Sequence, residues 1–303
     1  MPSATLEKII LPSLVAAPLE RSWTEAEAFA YCSRLTRSHY ENFPVGSALV
    51  PKALQPAVHS LYAFMRTADD FSDENRKSGD EAERMAWLNT WEAMLDDCQR
   101  GEARHPIFIA LRATLQRHDL PAQWLHDLLH AFKMDVTVRR YATAEDLLTY
   151  CRYSANPVGR LILTLFGYRD EELYWLSDAI CTGLQLANHW QDISVDLDKD
   201  RIYLPQESQR RFDMREEDLF SRVATPAFRQ LLAFEVLRAR EFFTRGRELP
   251  ERVQGRLKWE LRLTWRGGLR ILDKIEEADY DVFKQRPVVT KADWLGIAFS
   301  SLF

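Results

Sequence analysis

Several things are scarce in this 303-residue chain, and each scarcity removes a class of protein. Eleven glycines and thirteen prolines are too few for a low-complexity chain or a turn-rich sandwich. The four cysteines, Cys32, Cys98, Cys151 and Cys181, lack CxxC spacing, which excludes a disulfide framework or zinc knuckle and suits buried thiols in a reducing compartment. No long basic tract accompanies the net charge of -5, so nucleic acid is not an expected partner. No apolar run nears the roughly 18 uncharged residues of a membrane span. GxGxxG and GxxxxGK are missing, which removes Rossmann and P-loop nucleotide sites. Period-two alternation with hairpin turns is missing too, and no fixed repeat marks a solenoid.

What remains is helical periodicity on a chain with 46% hydrophobic and 12% aromatic residues, enough for a substantial core. Thr24 reads as an N-cap, with Glu25 and Glu27 in the first turn of a helix running toward His39. Pro44, Gly46 and Pro51 break the pattern. A second helix is expected from about Lys52 to Glu74, with Val58, Leu61, Tyr62, Met65 and Ala68 as its apolar stripe. Others are expected over Glu81–Gln99, Pro106–His118, Pro121–Arg140, Thr143–Phe166 with a bend at Pro157, and Asp170–Asp196. A loop over Asp200–Pro205 precedes helices near Arg215–Phe220, Pro226–Glu248, Pro250–Glu277 and Ala292–Leu302. The expectation is an all-α chain: an N-terminal lead-in over residues 1–23, then a single domain over 24–303. The first 21 residues carry Glu7 and Lys8 and show no signal-peptide pattern, so the chain reads as cytoplasmic. The apolar end, Trp294–Phe303, is long enough to cap the fold or to touch the inner membrane face peripherally, without spanning it.

Two acidic stretches stand out. In Gln185-Leu-Ala-Asn188-His-Trp-Gln-Asp192-Ile-Ser-Val-Asp196, the residues Gln185, Asn188, Asp192 and Asp196 fall at i, i+3, i+7 and i+11 and share one helical face. The flanks are apolar, and a polar stripe on a buried helix is costly unless something satisfies it. Paired carboxylates suit a hard divalent cation such as Mg²⁺, which shares its shell with phosphates and water. Asp69 and Asp73 likewise share a face on the second helix, with Asp70 about 100° away. If both faces meet one cavity, a cation has to neutralise them, and helix bundles build metal sites in this way. Arg66 and Arg201 would then hold the phosphate charge that the metal leaves. A lone DxxxD is more often a solvated face; two of them, with amides on the second stripe, shift the balance toward a site. His126 and His130 share a face as zinc ligands would, but without HExxH or a third ligand they read as ordinary histidines. The basic run Arg262–Arg270 reads as an exposed helix face, with anionic lipid as a further candidate partner.

Together these stretches resemble the squalene and phytoene synthase family, over roughly residues 24–290. The resemblance is carried by Asp69–Asp73, by Gln185, Asn188 and Asp192–Asp196, and by Arg201-Ile-Tyr-Leu-Pro205. It extends to Ser38-His-Tyr-Glu-Asn-Phe-Pro44, Tyr150-Cys-Arg-Tyr-Ser-Ala-Asn-Pro-Val-Gly159, Ile271–Ile275 and Tyr280–Phe283. It implies an isoprenoid synthase helix bundle with a central cavity for prenyl diphosphates, and Mg²⁺ held by Asp69, Asp73, Asn188, Asp192 and Asp196. It implies catalytic roles for these residues and Gln185, and substrate contacts from Ser38, His39, Tyr62, Arg66, Tyr150, Gln191, Arg201 and Tyr203. Phe43, Phe64, Val158, Leu184 and Trp190 are further candidate cavity walls, each more simply read as core.

Where phytoene-type members usually read Asn-Ile-Leu-Arg-Asp, this chain reads Asn188-His-Trp-Gln191-Asp192, and Asn156-Pro157 replaces Gly-Thr. These departures resemble a bacterial branch that ionises presqualene diphosphate and quenches the rearranged cation with water, within a three-enzyme route whose flanking enzymes make the substrate and reduce the alcohol. Head-to-head condensation of two farnesyl diphosphates is the alternative activity. A non-catalytic binding or assembly relative is the alternative of another class.

Overall fold

The computed structural model describes residues 13–38, 50–73 and 81–300; the side chains of residues 13, 14, 38, 73, 299 and 300 also lie outside the description. The chain folds as two compact units, one of residues 1–44 and 52–137, the other of 45–51 and 138–303. Helices build both, and among the described residues the nearest thing to a strand is an isolated bridge between Arg140 and Ile202.

The first unit holds α1 (Glu25–Ser38), α2 (Gln55–Asp73), α3 (Glu81–Arg100), α4 (Pro106–His118) and α5 (Gln123–Thr137). Thr24 starts α1 through a capping box: its hydroxyl accepts from the Glu27 N–H at 3.3 Å, and the Glu27 carboxylate accepts from the Thr24 N–H at 2.9 Å. Helix α2 is the hub, packed on α1, α3, α4 and α5. Its core stripe is Ala57, Leu61, Phe64, Ala68 and Phe71, with Phe64 stacked on Trp91 at 6.0 Å. The stripe expected from the sequence splits in two. Leu61 and Ala68 are buried, whereas Val58, Tyr62 and Met65 are half-buried because steps of four, three and four carry them onto the face of Asp69.

The second unit begins with α6 (Ala144–Ser154) and α7 (Asn156–Leu165). These replace the single bent helix expected over 143–166: the chain turns at Ala155 (φ −114°, ψ −45°), and Pro157 lies in the first turn of α7, where its missing N–H costs nothing. Gly167, at φ +88°, closes α7 in the left-handed conformation that glycine adopts freely. The hub is α8 (Glu171–Gln191), started by Asp170, whose carboxylate accepts from the N–H groups of Glu172 and Leu173 at 2.8 and 3.3 Å. There follow α9 (Ile193–Asp198), α10 (Gln206–Arg211), α11 (Glu216–Phe220), α12 (Pro226–Gly246), α13 (Leu249–Arg252), α14 (Gly255–Glu277) and α15 (Lys291–Ser300). Helix α10 was not expected, and the helix expected over 250–277 breaks at residues 253–254.

Helix α8 packs on α6, α7, α12, α13 and α14. Gly183 and Gly268 make room for the fully buried Phe243: a Cβ on Gly183 would stand 3.1 Å from that ring, and one on Gly268 would run into the ring and, at 2.7 Å, into Leu184. The basic run of α14 is paired rather than bare. Arg262 donates to Glu251 at 2.6 Å and Arg270 to Asp293 at 2.8 Å and Glu277 at 2.6 Å. All four cysteines are free thiols, and burial pushes that of Cys32 up to about 12. No helix among the described residues is long and apolar enough to cross a membrane.

Candidate functional site

The first acidic motif lies at the C-terminal end of its unit's hub helix and the second starts at the end of the other, with Asp192 as the C-cap of α8 and Asp196 in the first turn of α9; at both hub-helix ends the dipole disfavours negative charge and rewards a cation. Neither last turn supplies a formal positive charge to offset this. That of α2 has no basic residue, and the His189 imidazole of α8 is pushed down to about 3, first by burial and then by the Arg201 guanidinium.

On α2, the Asp69 side chain is 42% exposed and that of Asp70 13%. Arg66 spans the two, at 3.3 Å from Asp69 Oδ2 and 2.5 Å from Asp70 Oδ1, so the aspartate pointing off the expected face braces the arginine. Asp73 is the last residue of α2. Its side chain and that of Ser38, and all of His39 and Phe43, lie outside the described residues.

On α8 and α9 the expected face is the accessible one. Gln185, Asp192 and Asp196 are half-buried and Asn188 exposed, while Leu186, Ala187, Trp190, Ile193 and Leu197 are buried. The helix does not run straight to Asp196. It breaks at Asp192 (φ −103°, ψ 10°), yet Asp192 N still donates to Asn188 O at 2.9 Å and Asp196 N to Asp192 O at 2.8 Å. The break therefore leaves Asp196 one hydrogen-bonded turn beyond Asp192.

Two neighbours at the break hold the segment before α15. Gln191 is buried and its amide donates to the Pro287 carbonyl, while Arg286 grips Asp192 with two nitrogens, Nη2 to Oδ2 at 3.1 Å and Nε to Oδ1. Arg286 was missed in the sequence. It is an exposed arginine in an irregular segment, 94 residues from its partner, and no spacing rule reaches that far.

Beyond the second motif, Arg201, Tyr203 and Tyr150 are buried in one cluster with His189 and Tyr141. The His189 ring stacks on Tyr203 with centroids 3.6 Å apart, and Tyr150 lies 5.8 Å from Tyr203. Arg140 fixes the loop by donating to the Asp200 carbonyl and carboxylate at 2.6 and 2.7 Å and to Glu216 at 2.6 Å. Arg201 N in turn donates to Asp196 O at 2.9 Å, tying the loop arginine to the last aspartate of the motif. Neither His189 nor Arg140 stood out in the sequence.

Asn188, Asp192 and Asp196 offer only oxygen donors on their accessible face, the set a hard divalent cation takes, and a guanidinium already rests on one of them. Among the described residues no three carboxylate, imidazole or thiol groups converge on one point. His126 meets Glu92, Asp96 and Gln99 on the first unit's surface, with no zinc-like arrangement. Phe64 and Trp190 are fully buried core; Tyr62, Val158 and Leu184 stay half-buried.

The family model for squalene/phytoene synthase matches residues 36–293. The chain is 30% identical to a 15-cis-phytoene synthase of Synechococcus elongatus, over 92% of this chain and 94% of that one. It is 36% identical to a hydroxysqualene synthase of Rhodopseudomonas palustris, over 71% and 72%. Among solved structures, squalene synthase HpnC from Alicyclobacillus acidocaldarius matches with a TM-score of 0.79 and 43% identity, covering 88% of this chain and 98% of that one. A dehydrosqualene synthase in complex with ligand, at 22% identity, shares the fold with a TM-score of 0.81, covering 92% and 96%. With these matches running through both units and both acidic motifs, the chain belongs to the squalene/phytoene synthase family, whose enzymes act on prenyl diphosphates.

Proposed function

We propose that this chain is a hydroxysqualene synthase, a lyase that turns presqualene diphosphate and water into hydroxysqualene and diphosphate. The observation that carries the reading is the identity of 33–36% to three proteins named hydroxysqualene synthase, against 26–31% to five phytoene synthases. Gln191 agrees with it: the position where the phytoene-type pattern carries an arginine holds a neutral, buried amide.

In this reading Asp69, Asp73, Asn188, Asp192 and Asp196 hold Mg²⁺, which when bound supplies charge neutralisation for the departing diphosphate. Arg66 and Arg201 meet the remaining phosphate charge as the carbon–oxygen bond breaks and the leaving group takes its electron pair. Arg66 is steadied for this by Asp69 and Asp70, and the Arg201 backbone by its N–H bond to the Asp196 carbonyl. Gln185 and Gln191 orient substrate and water, and Tyr62, with Ser38 and His39, lines the hydrocarbon's path. Water adds to the rearranged cyclopropylcarbinyl cation and releases one proton to the diphosphate, giving the alcohol. Presqualene diphosphate and its product are lipid-like, so peripheral contact at the inner membrane face and handover between the flanking enzymes belong to the same proposal.

A second reading, condensation of two farnesyl diphosphates, is favoured by the phytoene synthase match over 92% of the chain. The test gives purified protein Mg²⁺ without nicotinamide, offers presqualene diphosphate or farnesyl diphosphate separately, and identifies the lipid by mass spectrometry. Alcohol from presqualene diphosphate alone is the expected result. Consumption of farnesyl diphosphate would move the assignment to the second reading, and no diphosphate release from either would leave a binding protein.

A further inference from the structure

We propose that Arg286 is the resting counter-ion of Asp192, and that the segment carrying it, residues 284–290, is a strap that the acidic motif lets go when a divalent cation binds. The inference rests on the reading that this motif is a metal site. Its ground is a pair of adjacent attachments. Arg286 engages both carboxylate oxygens of Asp192, and the next residue, the buried Pro287, accepts through its carbonyl from the amide of Gln191. The strap is thus fastened to two consecutive residues at the break between α8 and α9. It lies in the segment between α14 and α15.

A guanidinium forked onto both oxygens of a carboxylate takes the two lone pairs that face it, and its positive charge repels a divalent ion approaching the remaining ones. Asp192 therefore serves one partner or the other. Cation binding at Asp192 has to break an ion pair first, and the pair it breaks holds the strap. The Arg286 side chain is 47% exposed and that of Asp192 28%, so the guanidinium has solvent to move into and the exchange needs no unfolding of the core. Lys284 and Gln285, on the exposed side of the strap, report its release.

The experiment measures Mn²⁺ binding by the whole chain from the electron paramagnetic resonance of the free ion. In parallel it follows trypsin cleavage after Lys284, since the bond after Arg286 is sealed by Pro287. The proteins are the parent, Arg286→Gln, Arg286→Lys and Asp192→Asn. In the parent, Mn²⁺ accelerates the cut after Lys284. Arg286→Gln binds Mn²⁺ about threefold to tenfold more tightly, as expected for removal of a partly exposed ion pair. It is also cut quickly without metal, whereas Arg286→Lys stays near the parent. Equal or weaker Mn²⁺ binding by Arg286→Gln, or a cleavage rate that metal leaves unchanged in the parent, overturns the strap while leaving the metal site standing. Mn²⁺ binding that Asp192→Asn does not diminish overturns both the strap and the reading beneath it.

Discussion

A carboxylate at the C-terminal end of a helix stands in an unfavourable field, and Asp192 stands there as the C-cap of α8, beside a buried, neutral His189, while Asp196 follows in the first turn of α9. Asp196→Asn keeps the size of the side chain and removes the charge. We expect kcat/KM to fall at least about 100-fold with the thermal midpoint nearly unchanged, by diphosphate release and a melting scan. Glu260 poses the opposite problem. It is a carboxyl that burial alone pushes up to about 7, with Oε2 making no hydrogen bond. A raised carboxyl pKa means the folded chain holds a proton that the unfolded chain has shed, so stability falls as pH climbs from the ordinary carboxylate value of 4.5 through 7. Glu260→Met should therefore melt higher than the parent at pH 8, by about 2 kcal/mol in stability, and the gap should close toward pH 4.5. A gap independent of pH would contradict this. Residue types alone pointed to the aspartates and amides. They did not point to Arg286 or His189, whose roles depend on what faces them.

Among the elements, α8 joins the motif to the core of the second unit, and its fit depends on the space that glycine leaves for Phe243. Gly268→Ala overpacks that contact and should cost about 1–3 kcal/mol in urea unfolding, with part of the loss recovered in the double variant with Phe243→Leu. The start of α6 is a local device: Thr143 and Asp146 satisfy each other's backbone N–H groups at 2.9 and 3.1 Å. Thr143→Ala should cost about 1 kcal/mol and leave the acidic motifs untouched. Helix existence was legible almost throughout because the 3.6-residue period is written in every long segment, and α4 begins and ends at the expected residues. Breaks were less legible. Pro157 starts a helix here where a bend was expected, and α8 stops at Asp192, although Ile193–Asp198 is itself helical, at the point where the Arg286 side chain and the Pro287 carbonyl engage its end.

For the whole molecule, the two acidic motifs belong to different compact units, yet the proposed function asks both to act on one diphosphate. If they do, Asp69→Asn and Asp192→Asn each disable turnover, and the double variant is no worse than the more damaged single one. Multiplying losses would mean independent roles. The sequence by itself determined the helical class and the faces on which Asp69, Asp192 and Asp196 lie, since these follow from periodicity along the chain, and it determined the family through the resemblance of its motifs. Only the tertiary structure decided that Tyr150 and Tyr203 share a ring cluster with His189, and that Asp192 is held by Arg286. Those facts join residues far apart in the chain, and what brings them together is the packing of whole helices, which no local period encodes.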